Sequence, residues 1–199
     1  MAPQARGQAT KFTGTLTISV PNAQAGGTTE ITYAVGDSLL RLDFPPIGGR
    51  SSSALIVDRH TNSAWMVSYE ARSFYDLSES WKRLVRVNRK LLHGYTRTNS
   101  VKTIAGLTCE QWQRESPTAV MCLTDQLGAF DLGLLFALLG NGGLAGEELR
   151  ADGKDLFPLA LERNGSTVLR VTHVTRGAMT ASFFSVPESF RLLPLPSKE

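Results

Sequence analysis

The sequence predicts an α+β domain: a single, strongly curved antiparallel sheet with helices covering one face. Three observations carry this expectation. Short runs alternating between apolar and polar residues recur at both ends of the chain, each closed by a turn signal. Two segments in the middle lose that alternation, and Asn164-Gly165 stands between two strand-like runs. A period of two is the mark of a strand with one dry face and one wet face. Short strands at close spacing read as an antiparallel meander, and the dry face of a sheet needs a cover.

In order along the chain, Phe12, Leu16, Ile18 and Val20 alternate with Thr13, Thr15, Thr17 and Ser19. After a loop at 21–27, Glu30 to Val35 is a second strand, and Gly36-Asp37 turns into Leu39 to Phe44. Pro45-Pro46 and Gly48-Gly49 break the chain. Ala54 to Asp58 and Ala64 to Ser68 are two more strands around a polar turn, and Phe74 to Leu77 is a further short one. Leu77 to Gly94 changes period. A serine at Ser78 or Ser80 can cap it, Gly94 can end it, and Trp81, Leu84, Val85, Leu91 and Leu92 form an apolar stripe beside five basic residues. That is a helix packed on the sheet, with an anionic membrane surface as the other reading of its basic arc.

Strands resume at Ser100 to Ala105, Gly106 to Trp112 and Thr118 to Asp125. Asp125 to Gly140 is apolar nearly all round and too short to span a bilayer, so it is expected to be buried or to cover something apolar. Asn141-Gly142-Gly143 stops it, and 144–155 reads as a loop or short helix. Phe157 to Arg163 and Thr167 to Arg176 flank Asn-Gly, a strong hairpin signal, and Phe183 to Phe190 closes the domain.

A chain of 199 residues, 42% hydrophobic and 20% charged, suits one domain. Residues 1–10 are expected to be a flexible N-terminal segment and 11–199 a single domain. A net charge of +3 with scattered basic residues points away from nucleic acid. His60, His93 and His173 fall in no metal or catalytic motif, and phosphate-binding loops and nucleophile elbows are missing from the sequence. The expectation is no enzyme activity, no catalytic residue, no metal and no cofactor.

The two cysteines, Cys109 and Cys122, fall on consecutive strand-like segments joined by a turn at 114–117. Folding these as a hairpin sets the sulfurs opposite each other and permits a disulfide. Two buried free thiols are the alternative. The first residues carry no apolar run of the signal-peptide kind. A disulfide would favour a mature exported form over a cytosolic protein.

Several stretches resemble the DUF4412-type domains and, more remotely, the lipoprotein-carrier superfamily with its LolA-like fold. They are FTGTLTISV at the start, VGDSLLRLDF from Val35, ALIVDRHTNSAWMV from Ala54, KTIAGLTCEQW from Lys102 with its partner Cys122, FPLALE from Phe157, and the terminal FFSVPESF from Phe183. The resemblance implies an exported, periplasmic or cell-envelope protein built as a curved half-barrel closed by helices. In the carriers that shape holds acyl chains, and a related arrangement serves an envelope-stress sensor through protein contacts. Arg41 matches a basic residue of the family, either touching a ligand or paired with Asp43 on a wet face.

The first expectation is therefore a non-enzymatic binder of a hydrophobic ligand, a lipid or acyl chain. Leu16, Ile18, Tyr33, Leu42 and Trp65 would line the cavity, and Phe130, Leu134, Leu135 and Leu138 would form its lid. The alternative is an envelope protein-interaction or sensor module with a packed core and no small ligand. An envelope protein or a membrane surface met by the basic helix is then the partner.

Overall fold

The structure is a computed structural model describing residues 12–22, 26–46, 51–87, 94–115, 118–128, 150–152 and 154–195. The alternating runs become strands. β1 (Gly14–Asn22), β2 (Gly27–Val35), β3 (Leu39–Phe44), β4 (Ser53–Asp58), β5 (Ser63–Ser68) and β6 (Ser73–Asp76) form one meander, each antiparallel to the last. The helix α1 (Ser78–Val87) follows. A second meander consists of β7 (Thr96–Ile104), β8 (Leu107–Arg114) and β9 (Ala119–Thr124). β10 (Arg150–Ala151) and β11 (Lys154–Asp155) make a small separate hairpin, where sequence had predicted a loop or short helix.

The hairpin of β12 (Phe157–Arg163) and β13 (Ser166–Arg176) joins the two meanders, because β13 pairs with β1 and β12 with β9. β14 (Arg191–Leu193) adds a short parallel strand beside β6. The result is one open sheet of 12 strands with β14 and β7 at its edges. Asn164 and Gly165, with φ of 50° and 77°, provide the left-handed pair that a two-residue hairpin of this twist requires.

Curvature follows from one contact. Tyr33 on β2 and Phe157 on β12 are separated by β1 and β13, about 14 Å across a flat sheet. Their ring centroids lie 5.9 Å apart. The sheet is therefore bent so that inward side chains of distant strands meet, and its inner face covers itself. That face carries the main core, from Leu16 and Ile18 through Leu42, Leu55 and Met121 to Leu161.

This corrects the expected architecture. The antiparallel curved sheet is present, but the fold is nearly all β rather than α+β. Among the described residues α1 is the one α-helix, and no helix covers a face. α1 sits beside β5, where the Leu77 amide donates to the Ala64 carbonyl at 2.8 Å, and Trp81 enters the core. Among the described residues the inner face is instead filled by curvature, which brings inward side chains of distant strands such as Tyr33 and Phe157 together. The leucine-rich lid predicted at 125–140 falls outside the described residues from 129 onward, as do the N-terminal segment 1–10 and His93.

The cap of α1 is Asp76 rather than the expected Ser78 or Ser80, and the Ser78 Oγ instead accepts from the Ala64 amide. The Ser78 amide donates to Asp76 Oδ1 at 2.8 Å, and these Ser78 hydrogen bonds hold the Asp76 carboxyl below its ordinary value. A carboxyl depressed on folding contributes stability above its unfolded pKa and loses it as pH falls through the folded one. In urea titrations we expect the midpoint to fall below about pH 4. Asp76→Asn should lower the midpoint near neutrality and flatten that acid-side loss. An unchanged slope would show that Asp76 is not the titrating cap.

Candidate functional site

Four of the five predicted lining residues share the inner face. Leu16 stands opposite Tyr33, and Tyr33 opposite Leu42, so all lie on one side of the sheet together with Ile18. They are closed in: Leu16 is 1% exposed, Ile18 0%, Tyr33 1% and Leu42 2%. Trp65 is on the other side. Its cross-strand partner is Ile56, which faces Arg41, which faces Ala34, and that row points outward. The run Ala64 to Val67 is apolar at every position, so its parity could not be read from sequence. Phe130, Leu134, Leu135 and Leu138 lie outside the described residues.

The outward side of β3 to β6 is not bare. The segment from Met179 to Phe190 crosses it, and Phe184 packs with Ala34, Ile56 and Val67 in a second core. Arg41 fixes this strap. Its Nε and Nη2 donate to Asp43 Oδ1 at 2.9 and 2.8 Å, and its Nη1 donates to the Phe183 carbonyl at 2.6 Å. The guanidinium also lies over the Phe183 ring at 4.3 Å and the Tyr69 ring at 5.5 Å. Burial pushes the Tyr69 phenol up, with Asp43 acting in the same direction. Of the two readings left open for Arg41, pairing with Asp43 is the one observed. The pieces VGDSLLRLDF and FFSVPESF thus meet in one structural clamp.

Cys109 and Cys122 form a disulfide across β8 and β9, with Cα atoms 5.3 Å apart. The register sets Cys122 opposite Gln111, so the bridge is diagonal rather than directly across.

Two grooves flank this bridge, on opposite sides of β7 to β9. The first, of about 320 Å³, contains Arg97, Glu110, Trp112, Asp125, Asp152 and Lys154. Its charges are engaged with one another. Arg97 pairs with Glu110 at 3.0 Å and Asp152 at 2.9 Å and lies over the Trp112 ring at 5.0 Å, while Lys154 pairs with Asp125. These pairs tie the β10–β11 hairpin to the sheet, and Asp125 holds the Lys154 ammonium above its ordinary value.

The second groove, also about 320 Å³, opens on the outer face. Its floor is made of small side chains on neighbouring strands, Val120 and Cys122 on β9 and Ala160 on β12. Lys102, Thr103, Gln111, Glu162 and Arg170 rise around it. The β12 ladder is irregular here. It shifts register against β9 between Pro158 and Ala160 and against β13 between Leu161 and Glu162. Proline has no amide to donate, and bulges are the usual way a central strand accommodates it. Lys102, Glu162 and Arg170 make no ion pair with any described residue. Sequence reading missed this site because a small residue amid large ones becomes a groove only once pairing places it. Among the described residues no group of three histidine, cysteine or acidic side chains converges to hold a metal.

The chain belongs to the family described as a domain of unknown function (DUF4412), which matches residues 12–190. No curated protein matches it. Among solved structures it is similar to PNGF-II in a C2 crystal form, with 13% identity and a TM-score of 0.52 over 91% of this chain and 30% of that one. The same protein in a P21 form matches with 13% identity and a TM-score of 0.44, over 87% of this chain and 30% of that one. The likeness is one of fold, and this chain spans less than a third of PNGF-II.

Arg41→Ala should cost about 2 kcal/mol, below the range for a fully buried pair because Asp43 is 30% exposed. It should also speed hydrogen exchange in residues 183–190. Arg41→Lys should recover little, since a point charge cannot make the forked pair and the stack together. Equal exchange in wild type and Arg41→Ala would remove the clamp from the account.

Proposed function

We propose that this DUF4412 protein is a non-enzymatic interaction module of an exported, cell-envelope protein, with a packed interior and recognition through its surface. The observation that carries the reading is the closure of the inner face over β1 to β4. Side chains there at 0–2% exposure leave no room for a water molecule beside them. An acyl chain gains roughly 0.8 kcal/mol per buried methylene. To enter here it would have to displace side chains already paired with one another, such as Tyr33 and Phe157. The carrier reading requires vacant space, and the module reading does not.

Two further points support it. The disulfide is consistent with an oxidising compartment. The fold also matches a 30% portion of a longer chain in PNGF-II, as a unit joined to others would. Fold likeness at this identity lends no activity.

Native mass spectrometry of gently purified protein tests the proposal. The mass expected is that of the chain alone, and a stoichiometric acyl adduct would replace the module by a carrier. Leu42→Ala provides an independent check. In a packed core it should cost about 2–5 kcal/mol in urea unfolding. A loss well under 1 kcal/mol would mark Leu42 as a cavity wall.

A further inference from the structure

We infer that the groove on the outer face of β8, β9 and β12 receives an extended segment of a partner protein with acidic residues at its ends. The inference rests on the module reading and names the site through which it acts.

A sheet recognises a peptide by an edge or by a face. Both edges here are guarded. Pairing of β7 with β8 breaks between Arg97 and Val101, where Asn99 has a φ of 59°. A bulged edge resists a new strand. β14 has only three residues and is followed by Pro194, which has no amide to offer. On the faces, the inner side is closed over β1 to β4, the outer side of β3 to β6 is under the strap, and on the inner side of β7 to β9 the charges of the first groove are engaged. The outer groove keeps charged groups free of any described partner.

Its charge pattern selects the occupant. Lys102 on β7 and Arg170 on β13 stand at the two ends, with Glu162 on β12 between them. Two cations against one carboxylate favour an anionic ligand, and Glu162 disfavours acid in the middle. From β7 to β13 is four strand spacings, about 19 Å, the reach of about six extended residues. The floor of Val120, Cys122 and Ala160 accepts small apolar side chains. A hexapeptide with glutamate at both ends and alanine and valine between fits this description.

That capped hexapeptide is the probe, titrated into isotope-labelled full chain and followed by backbone amide NMR. Shift changes should cluster at Lys102, Gln111, Val120, Ala160, Glu162 and Arg170. Lys102→Glu and Arg170→Glu, both at exposed positions, should each weaken binding by at least about threefold. Arg191→Glu, an equal charge change at the far edge, should leave it unaltered. Ala160→Phe should abolish it by filling the floor, with shifts elsewhere reporting an intact fold. Absent or scattered shifts would overturn the inference. So would equal binding of the peptide with glutamine at both ends, or equal weakening by Arg191→Glu. The mass measurement and Leu42→Ala judge the module reading separately.

Discussion

The constraint on which the molecule depends is that a 12-stranded sheet must curve until inward side chains of distant strands pack on one another. The Tyr33–Phe157 contact expresses this directly, since residues three strands apart touch only when the sheet is bent. The β12–β13 hairpin is the topological device that makes the bend useful. By pairing with β1 on one side and β9 on the other, it fuses two meanders into one concave surface with one continuous core. A packing error at Phe157 would therefore be felt in both halves.

The outer face is treated unevenly. Over β3 to β6 the C-terminal strap supplies a second core, and the bidentate Arg41–Asp43 pair anchors it. β3 is the hinge between the two cores, since Leu42 faces inward while its neighbour Arg41 faces the strap. Over β8, β9 and β12 no such strap is found among the described residues, and small side chains there lie among long polar and charged neighbours. One surface is thus sealed for stability, and the other is left patterned with charge.

Much of the sheet was legible in the sequence because alternation reports a single covered face. β1 reads inward–outward without a fault from Leu16 to Val20. The cap of α1 fell on Asp76 and not on the expected serines, whereas the Asn-Gly turn and the Cys109–Cys122 bridge were legible for equally local reasons. The cover of the sheet was not. Whether a dry face meets a helix or its own far side depends on curvature, which no local pattern records. The orientation of Trp65 failed for a related reason, because Ala64 to Val67 offers two apolar parities. The outer groove was illegible because its floor joins residues as far apart in sequence as Val120 and Ala160.

Run length carries information that alternation does not. In β4, Ala54, Leu55, Ile56 and Val57 are buried without interruption. A strand buried on both faces reads as a continuous apolar run, and β4 lies between the inner core and the strap. β13 is buried only at Leu169 and Val171, and its remaining positions are partly or fully exposed. β12 combines the two patterns. Phe157 to Leu161 are all buried, yet the outward member opposite Cys122 is only Ala160. A large apolar residue at that position would demand a cover like that of β4. An alanine does not, so the outer surface of β12 can stay open to solvent there. The size of the outward side chains, more than their polarity, separates a covered strand from one that can present a recess.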